Sequence, residues 1–223
     1  MALKEGVKRA LEYIAQGVPV FLRAPTGYGK SFLSIVLAKM IYECEEFRRS
    51  IAAYRVIHVL PFKSIVEDLY RRAVSVWGEG HVGYQASIDL GSAKDPIFRR
   101  RLIYTTLDSF VLNFSKITPL RTERATYEAA RASIYTSVVI FDEAHLYATP
   151  KALAAIKTML ESLTKAKAPV IVATATMPSS LVDKLVGSVD VKLITVVKEG
   201  AKYKPRPGEE VVEEKLSDER LAV

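Results

Sequence analysis

The sequence predicts an α/β domain, with a mostly parallel sheet covered by helices on both faces. Three observations carry that expectation. Short apolar runs of strand length alternate with longer stretches whose apolar residues recur at helical spacing. Several of those runs are continuously apolar, the pattern of strands buried on both faces. The 223 residues, 49% hydrophobic and 26% charged, suit one large α/β domain, or two small ones, with a real core.

Each element follows from its own pattern. Leu3, Val7, Ala10, Leu11 and Ile14 predict an amphipathic helix over residues 2–16. Residues 18–22 are an apolar run behind Gly17 and read as a buried strand. After a glycine-rich loop, Leu33, Val36, Leu37, Met40, Ile41 and Cys44 trace one face of a long helix, which makes Cys44 a core residue. Residues 54–60 are the next strand. The following helix is expected to open with a capping box, Ser64 with Glu67, and to stop at Gly78. Residues 102–104 read as a short strand, and residues 107–114 and 122–134 as helices. Residues 137–141 form a solid apolar strand. Thr149 as N-cap and Pro150 at the first helical position open a helix to about residue 163. Residues 169–173 are again a strand, and Pro178 begins a helix carrying Leu181, Val182, Leu185 and Val186. Val189, Val191 and Leu193 alternate with Asp190 and Lys192, as in a half-exposed edge strand. Residues 199–223 hold Pro205, Pro207, Gly208 and mixed charges without a core pattern. They read as a charged linker or the start of a further domain, which leaves residues 1–198 as the domain proper.

Bulk properties narrow the class. A net charge of +7 and a pI near 9.4 fit a polyanionic partner, and equally a basic surface that serves solubility. One cysteine excludes an intramolecular disulfide framework and fits a reducing cytosol, so a cytoplasmic protein is expected. No run of about 18 apolar residues suggests a membrane span. Lys4, Glu5, Lys8 and Glu12 in the first helix are not the pattern of a signal peptide.

Two motifs carry chemistry. Ala24, Pro25, Thr26, Gly27, Tyr28, Gly29, Lys30 and Ser31 lie between a buried strand and an amphipathic helix. Gly27 and Gly29 let backbone amides turn toward a phosphate, and the helix start adds its own amides and positive dipole end. Lys30 would reach the β- and γ-phosphates of ATP, and the Ser31 hydroxyl would ligate Mg2+. The second motif, Asp142-Glu143-Ala144-His145, closes an apolar strand. In a parallel sheet both motifs fall at carboxyl ends of strands, where ligands bind. Asp142 would then serve the Mg2+ held by Ser31, and Glu143 would polarise the attacking water. Strand alternation sends one of two adjacent carboxylates toward the core, a poor choice for structure alone.

Three further segments occur in order. Pro61, Lys63 and Ser64, at a strand-to-helix junction, suit the phosphates of a nucleic-acid strand. Thr105 and Thr106 repeat that arrangement, with Asp108 capping a helix. The ordinary role of such residues is capping alone, and both readings stand. Thr174 and Thr176 can hydrogen-bond back to the acidic tetrad. Arg99, Arg100 and Arg101 are either a solvated loop or, with Lys63, part of a strand-facing surface. Gln16 precedes the phosphate loop as an adenine reader or a plain helix-end residue.

Taken in this order, residues 24–31, 61–64, 105–108, 142–145 and 174–176 resemble motifs I, Ia, Ib/Ic, II and III of superfamily 2 DEAH-box helicases. The usual first glycine of the loop is Ala24 here. The wording Ala-Pro-Thr-Gly-Tyr-Gly-Lys-Ser, with Asp-Glu-Ala-His-Leu-Tyr, looks most like the helicase of type I CRISPR-Cas systems. The resemblance covers roughly residues 15–197 and implies a RecA-like P-loop NTPase fold. It implies an ATP- and Mg2+-dependent motor, driven along single-stranded DNA and recruited by a CRISPR effector complex in antiviral interference. It makes Lys30, Asp142, Glu143 and His145 catalytic, with His145 linking the γ-phosphate to Thr174 and Thr176. Such motors take arginines from a second RecA-like domain, expected here from another segment or subunit. His58, His81 and His145 are not followed by Asp, so a separate HD nuclease is expected to do any cleavage. An RNA helicase, a repair translocase and a binding module without turnover remain the alternatives.

Overall fold

The computed structural model describes residues 3–115, 124–147 and 149–215. Eight strands form one sheet: β1 (Val20–Arg23), β2 (Arg55–Leu60), β3 (Val82–Gln85), β4 (Leu102–Thr106), β5 (Ser137–Phe141), β6 (Val170–Thr174), β7 (Lys192–Lys198) and β8 (Glu210–Glu214). Their order is β3-β4-β2-β5-β6-β1-β7-β8, and every neighbouring pair is parallel. The helices are α1 (Glu5–Ala15), α2 (Lys30–Glu43), α3 (Glu45–Ile51), α4 (Lys63–Trp77), α5 (Leu107–Ser115), α6 (Arg124–Tyr135), α7 (Pro150–Lys165) and α8 (Ser179–Val186). Among the described residues no helix is long and apolar enough to cross a membrane.

Alternation along the strands builds two cores. Val56, Leu60, Tyr104, Val138 and Ile140 pack on the face that α1, α2 and α4 cover. Ile57, Val59, Ile103, Val139 and Phe141 pack on the other, beneath α5, α7 and α8. A sheet buried on both faces requires the continuously apolar strands the sequence contains.

Several local expectations change. Cys44 is exposed, because the chain leaves α2 there in an extended conformation and turns into α3. The α4 helix starts a residue before Ser64, with Phe62 as its N-cap and no side-chain cap bond, so no capping box forms. Gly78 does end that helix, at φ +85°. Thr149 and Pro150 open α7 as expected, the Thr149 hydroxyl accepting from the Ala152 amide at 3.3 Å. Of the helix expected over residues 122–134, residues 122 and 123 lie outside the described residues.

The largest revision is at the sheet's end. β7 is not an edge strand, since β8 pairs with it from Ile194↔Glu210 to Lys198↔Glu214. The reading of residues 199–223 as linker therefore fails for residues 210–214, where Val212 is buried in the core. One apolar anchor among glutamates gave no visible pattern. β3 was missed for a similar reason: it is four residues long and contains Gly83.

Candidate active site

The carboxyl ends of β4, β2, β5, β6 and β1 line up along one edge of the sheet, and the conspicuous motifs sit there in a row. The loop after β1 makes its turn at Gly27 and Gly29, with φ of +71° and +101°. A Cβ on Gly29 would meet nothing within 4 Å, so the left-handed backbone, not crowding, calls for glycine there. α2 begins at Lys30, which sets Lys30 and the half-buried Ser31 in its first turn. Ala24 is buried, and its amide donates to the Thr174 carbonyl at 3.0 Å, tying the loop to β6. Pro25 is half-buried, while Thr26 and Gly27 are exposed. Tyr28 turns inward. Its hydroxyl accepts from the Gly6 amide at 2.9 Å and donates to Glu214 at 2.5 Å, bracing the loop against α1 and β8.

Lys30 is 4% exposed, and its ammonium donates to the Ala24 and Pro25 carbonyls at 2.8 and 3.0 Å. It stands 4.0 Å from Glu143 Oε1. Burial lowers its pKa, against the opposing charges of Glu143 and Asp142. Asp142 is buried just beyond β5, its Oδ1 accepting the Glu143 amide at 2.8 Å. Its Oδ2 lies 3.2 Å from Nε2 of His58, a buried residue on β2. Burial alone would raise the Asp142 carboxyl. Contact with His58, the Glu143 amide and Lys30 together hold it below its ordinary value.

Glu143 has the opposite environment. Its backbone is left-handed at φ +50°, and burial, then the charge of Asp142, raise its carboxyl above the ordinary value. Lys30, His145 and the Ala175 amide act against that rise. Its Oε2 is buried with no hydrogen bond, 3.4 Å from His145 Nδ1. The same nitrogen lies 3.0 Å from Thr174 Oγ1, which donates to the Thr176 carbonyl at 3.1 Å. Thr176 thus enters the chain through its backbone.

An ammonium among loop carbonyls, a carboxylate kept ionised and a second carboxylate with an unpartnered oxygen fit a magnesium-bound triphosphate. Ser31 and Asp142 are the side chains that would hold the ion.

The flanking motifs divide. Pro61 is half-buried, and Lys63 and Ser64 are exposed in the first turn of α4, beside the acidic tetrad. Thr105 and Thr106 are buried, and their hydroxyls work inside the fold. Thr105 donates to the Gln85 carbonyl at 2.6 Å, and Thr106 donates to Ser109 Oγ at 3.1 Å while accepting the Ser109 amide at 3.4 Å. Thr106, not Asp108, therefore caps α5; Asp108 is exposed in its first turn. Arg99, Arg100 and Arg101 precede β4 and lie at the opposite edge from Lys63, so one row of phosphates along the motifs does not reach both. Gln16 is the exposed C-cap of α1.

Two partners were not foreseen, His58 and Glu214. His58 did leave a signal, as a single imidazole among the apolar residues that follow Arg55 in β2. Glu214 left none.

Comparison with known proteins decides the family: the DEAD/DEAH box helicase pattern matches residues 6–185. The chain belongs to the DEAD/DEAH box helicases. This helicase domain is 27% identical over 210 residues to the putative CRISPR-associated nuclease/helicase Cas3 of Methanocaldococcus jannaschii, covering 83% of this chain and 26% of that one. The chain thus spans about a quarter of that relative. Its fold resembles the DUF1998 helicase MrfA bound to DNA, with a TM-score of 0.58, 16% identity, and 83% and 26% of the two chains covered. It also resembles a hypothetical ATP-dependent RNA helicase from Sulfolobus tokodaii, with a TM-score of 0.56, 19% identity, and 89% and 56% covered. The RecA-like helicase fold is common to them.

Proposed function

We propose that this chain is the ATP-binding first motor domain of a superfamily 2 DNA helicase, of the kind that serves CRISPR interference. The observation that carries the reading is the cluster of Lys30, Asp142 and Glu143 at the mouth of the glycine loop. Lys30 and the loop amides bind the triphosphate. Bound magnesium would supply positive charge across the β- and γ-phosphates. Glu143, with its raised pKa, orients the attacking water and takes up its proton. His145, joined to Thr174, relays the state of the phosphate end to β6.

The described groups that act electrostatically on Glu143 are Asp142, Lys30 and His145. Completion by arginines of a second RecA-like domain or subunit belongs to the same proposal, since such arginines are worth about 10³–10⁵ in turnover. These residues by themselves are then an ATP binder with slow turnover, and an HD nuclease and an effector complex are the proposed partners of the motor. Support for DNA and for CRISPR comes from the motif wording and the similarity to the Cas3 relative. The fold shared with the Sulfolobus protein makes RNA the competing track.

ATP hydrolysis measured with single-stranded DNA, single-stranded RNA or neither tests this. Stimulation by DNA, lost in Lys30→Ala, is expected. Stronger stimulation by RNA would transfer the chain to the RNA helicases.

A further inference from the structure

The amino-terminal edge of the sheet, opposite the phosphate loop, holds a cavity of about 620 Å³. That is within the roughly 300–1,000 Å³ range of ligand pockets. Tyr42, His81, Lys94, Arg99, Arg100 and Arg101 line it, so four cations face one carboxylate, Asp95. The last turns of α2 and α4 end here, and helix ends contribute only about half a negative charge each. Positive charge is in excess.

The bend that presents the arginines is built, not loose. Phe98 is fully buried at φ +53°, a strained conformation for a residue with a side chain. Its carbonyl accepts from Arg55 at 3.0 Å. Buried Asp95 accepts the Arg99 and Arg100 amides through Oδ2 at 2.7 and 2.8 Å. Arg100 is fixed on the Glu79 and Val82 carbonyls. Arg99 is 76% exposed, with Nε 4.0 Å from Asp95 Oδ1. Burial, and then the charge of Arg101, disfavour the Arg55 guanidinium nearby, a further sign of crowded cations.

Aromatic rings are interleaved with these charges. Trp77 stacks on His81 with centroids 4.8 Å apart at 12°, and Tyr42 meets both edge-on at 5.8 and 5.1 Å. Arg101 lies 5.1 Å from the Tyr42 ring centre, and Tyr42 is 43% exposed. Cations beside an exposed tyrosine are the chemistry of single-strand binding, charge for the backbone and stacking for bases.

We infer that this pocket is a second nucleic-acid site, taking a phosphodiester segment of a single strand, separate from the surface around Lys63. The length of β4 separates the two edges, about 3.3 Å per residue over five residues. The inference rests on the reading that the chain binds nucleic acid, and places a strand entering or leaving the motor at the amino-terminal edge of the sheet.

Trp77 is the only tryptophan of the 223-residue chain, and it stacks on His81, which lines the pocket, so its fluorescence responds to changes there. Titration with an oligothymidylate of about ten nucleotides should quench its fluorescence. Lys63→Ala should keep the quenching. The Arg99→Ala/Arg101→Ala double variant should lose it, weaken binding about tenfold and flatten the salt slope by about 1.4, at about 0.7 per phosphate contact. Tyr42→Ala, at an exposed position, should reduce the quenching without altering the salt slope. Binding in an anisotropy assay with a slope unchanged in the double variant would overturn this inference alone. No binding by the wild type would overturn the nucleic-acid reading with it. Quenching by polyglutamate at lower concentration than by the oligonucleotide would overturn it in favour of an acidic protein partner.

Discussion

At Glu143 the left-handed backbone, the burial of the carboxyl and then the nearness of Asp142 work against stability for the sake of chemistry. A carboxyl whose folded pKa is raised contributes favourably below its unfolded pKa, and that contribution is lost as pH rises through the folded value. At neutral pH the group therefore costs stability. Glu143→Gln should raise Tm at pH 7, by about 2–4 °C for each kcal/mol relieved. The gain should vanish below about pH 4, where the unfolded carboxyl is protonated too. Turnover should fall about 10²–10⁴-fold. Melting curves at the two pH values and steady-state rates check both; a lower Tm at neutral pH would show that the carboxylate is structural. Asp142 is the reverse case, kept ionised by His58, whose Nδ1 is buried without a partner. The sequence announced both carboxylates by their adjacency. It could not say that a histidine far upstream would separate their behaviour.

Among the elements, α1 and β8 have the least obvious role, since neither carries a motif. They meet the phosphate loop through Tyr28. Glu214 Oε1 accepts both the Tyr28 hydroxyl and the Glu5 amide at the start of α1, at 2.5 and 2.7 Å. Gly6 leaves room for this: a Cβ there would lie 2.9 Å from the Tyr28 oxygen and 2.6 Å from Val196. Tyr28→Phe removes one partner from a buried Gly6 amide and from Glu214, a cost of about 1–3 kcal/mol. Differential scanning calorimetry should show a Tm several degrees lower, and the KM for ATP should rise as the loop loosens. An unchanged KM would mean that the brace serves the fold only. Helix ends taught a related lesson. Thr149 was readable as a cap because Pro150 follows it, whereas the Ser64 and Glu67 pair matched a capping box that the strand exit at Phe62 overrode.

For the whole molecule, the pairing of β8 carries the sheet past residue 198. A chain cut after residue 198 would lose β8 and expose the edge of β7. Burial of Val212 alone is worth about 1.5–3 kcal/mol, so Tm should fall by roughly 3–12 °C. Light scattering should show self-association through the bare edge. A truncated chain as stable and monodisperse as the intact one would restore the linker reading.

Parallel strands, crossover helices and the glycine loop were legible because each is a local pattern: apolar runs, helical periodicity, and residues that backbone geometry demands. The parallel direction of the strands placed the motifs on one edge without further information, since parallel strands all end on the same side. Contacts between distant segments were beyond the sequence. His58 beside Asp142, Glu214 beneath Tyr28, and the arginines gathered with Tyr42 and Trp77 depend on which strands become neighbours. Only the assembled sheet fixes that, because pairing brings together residues that no local pattern connects.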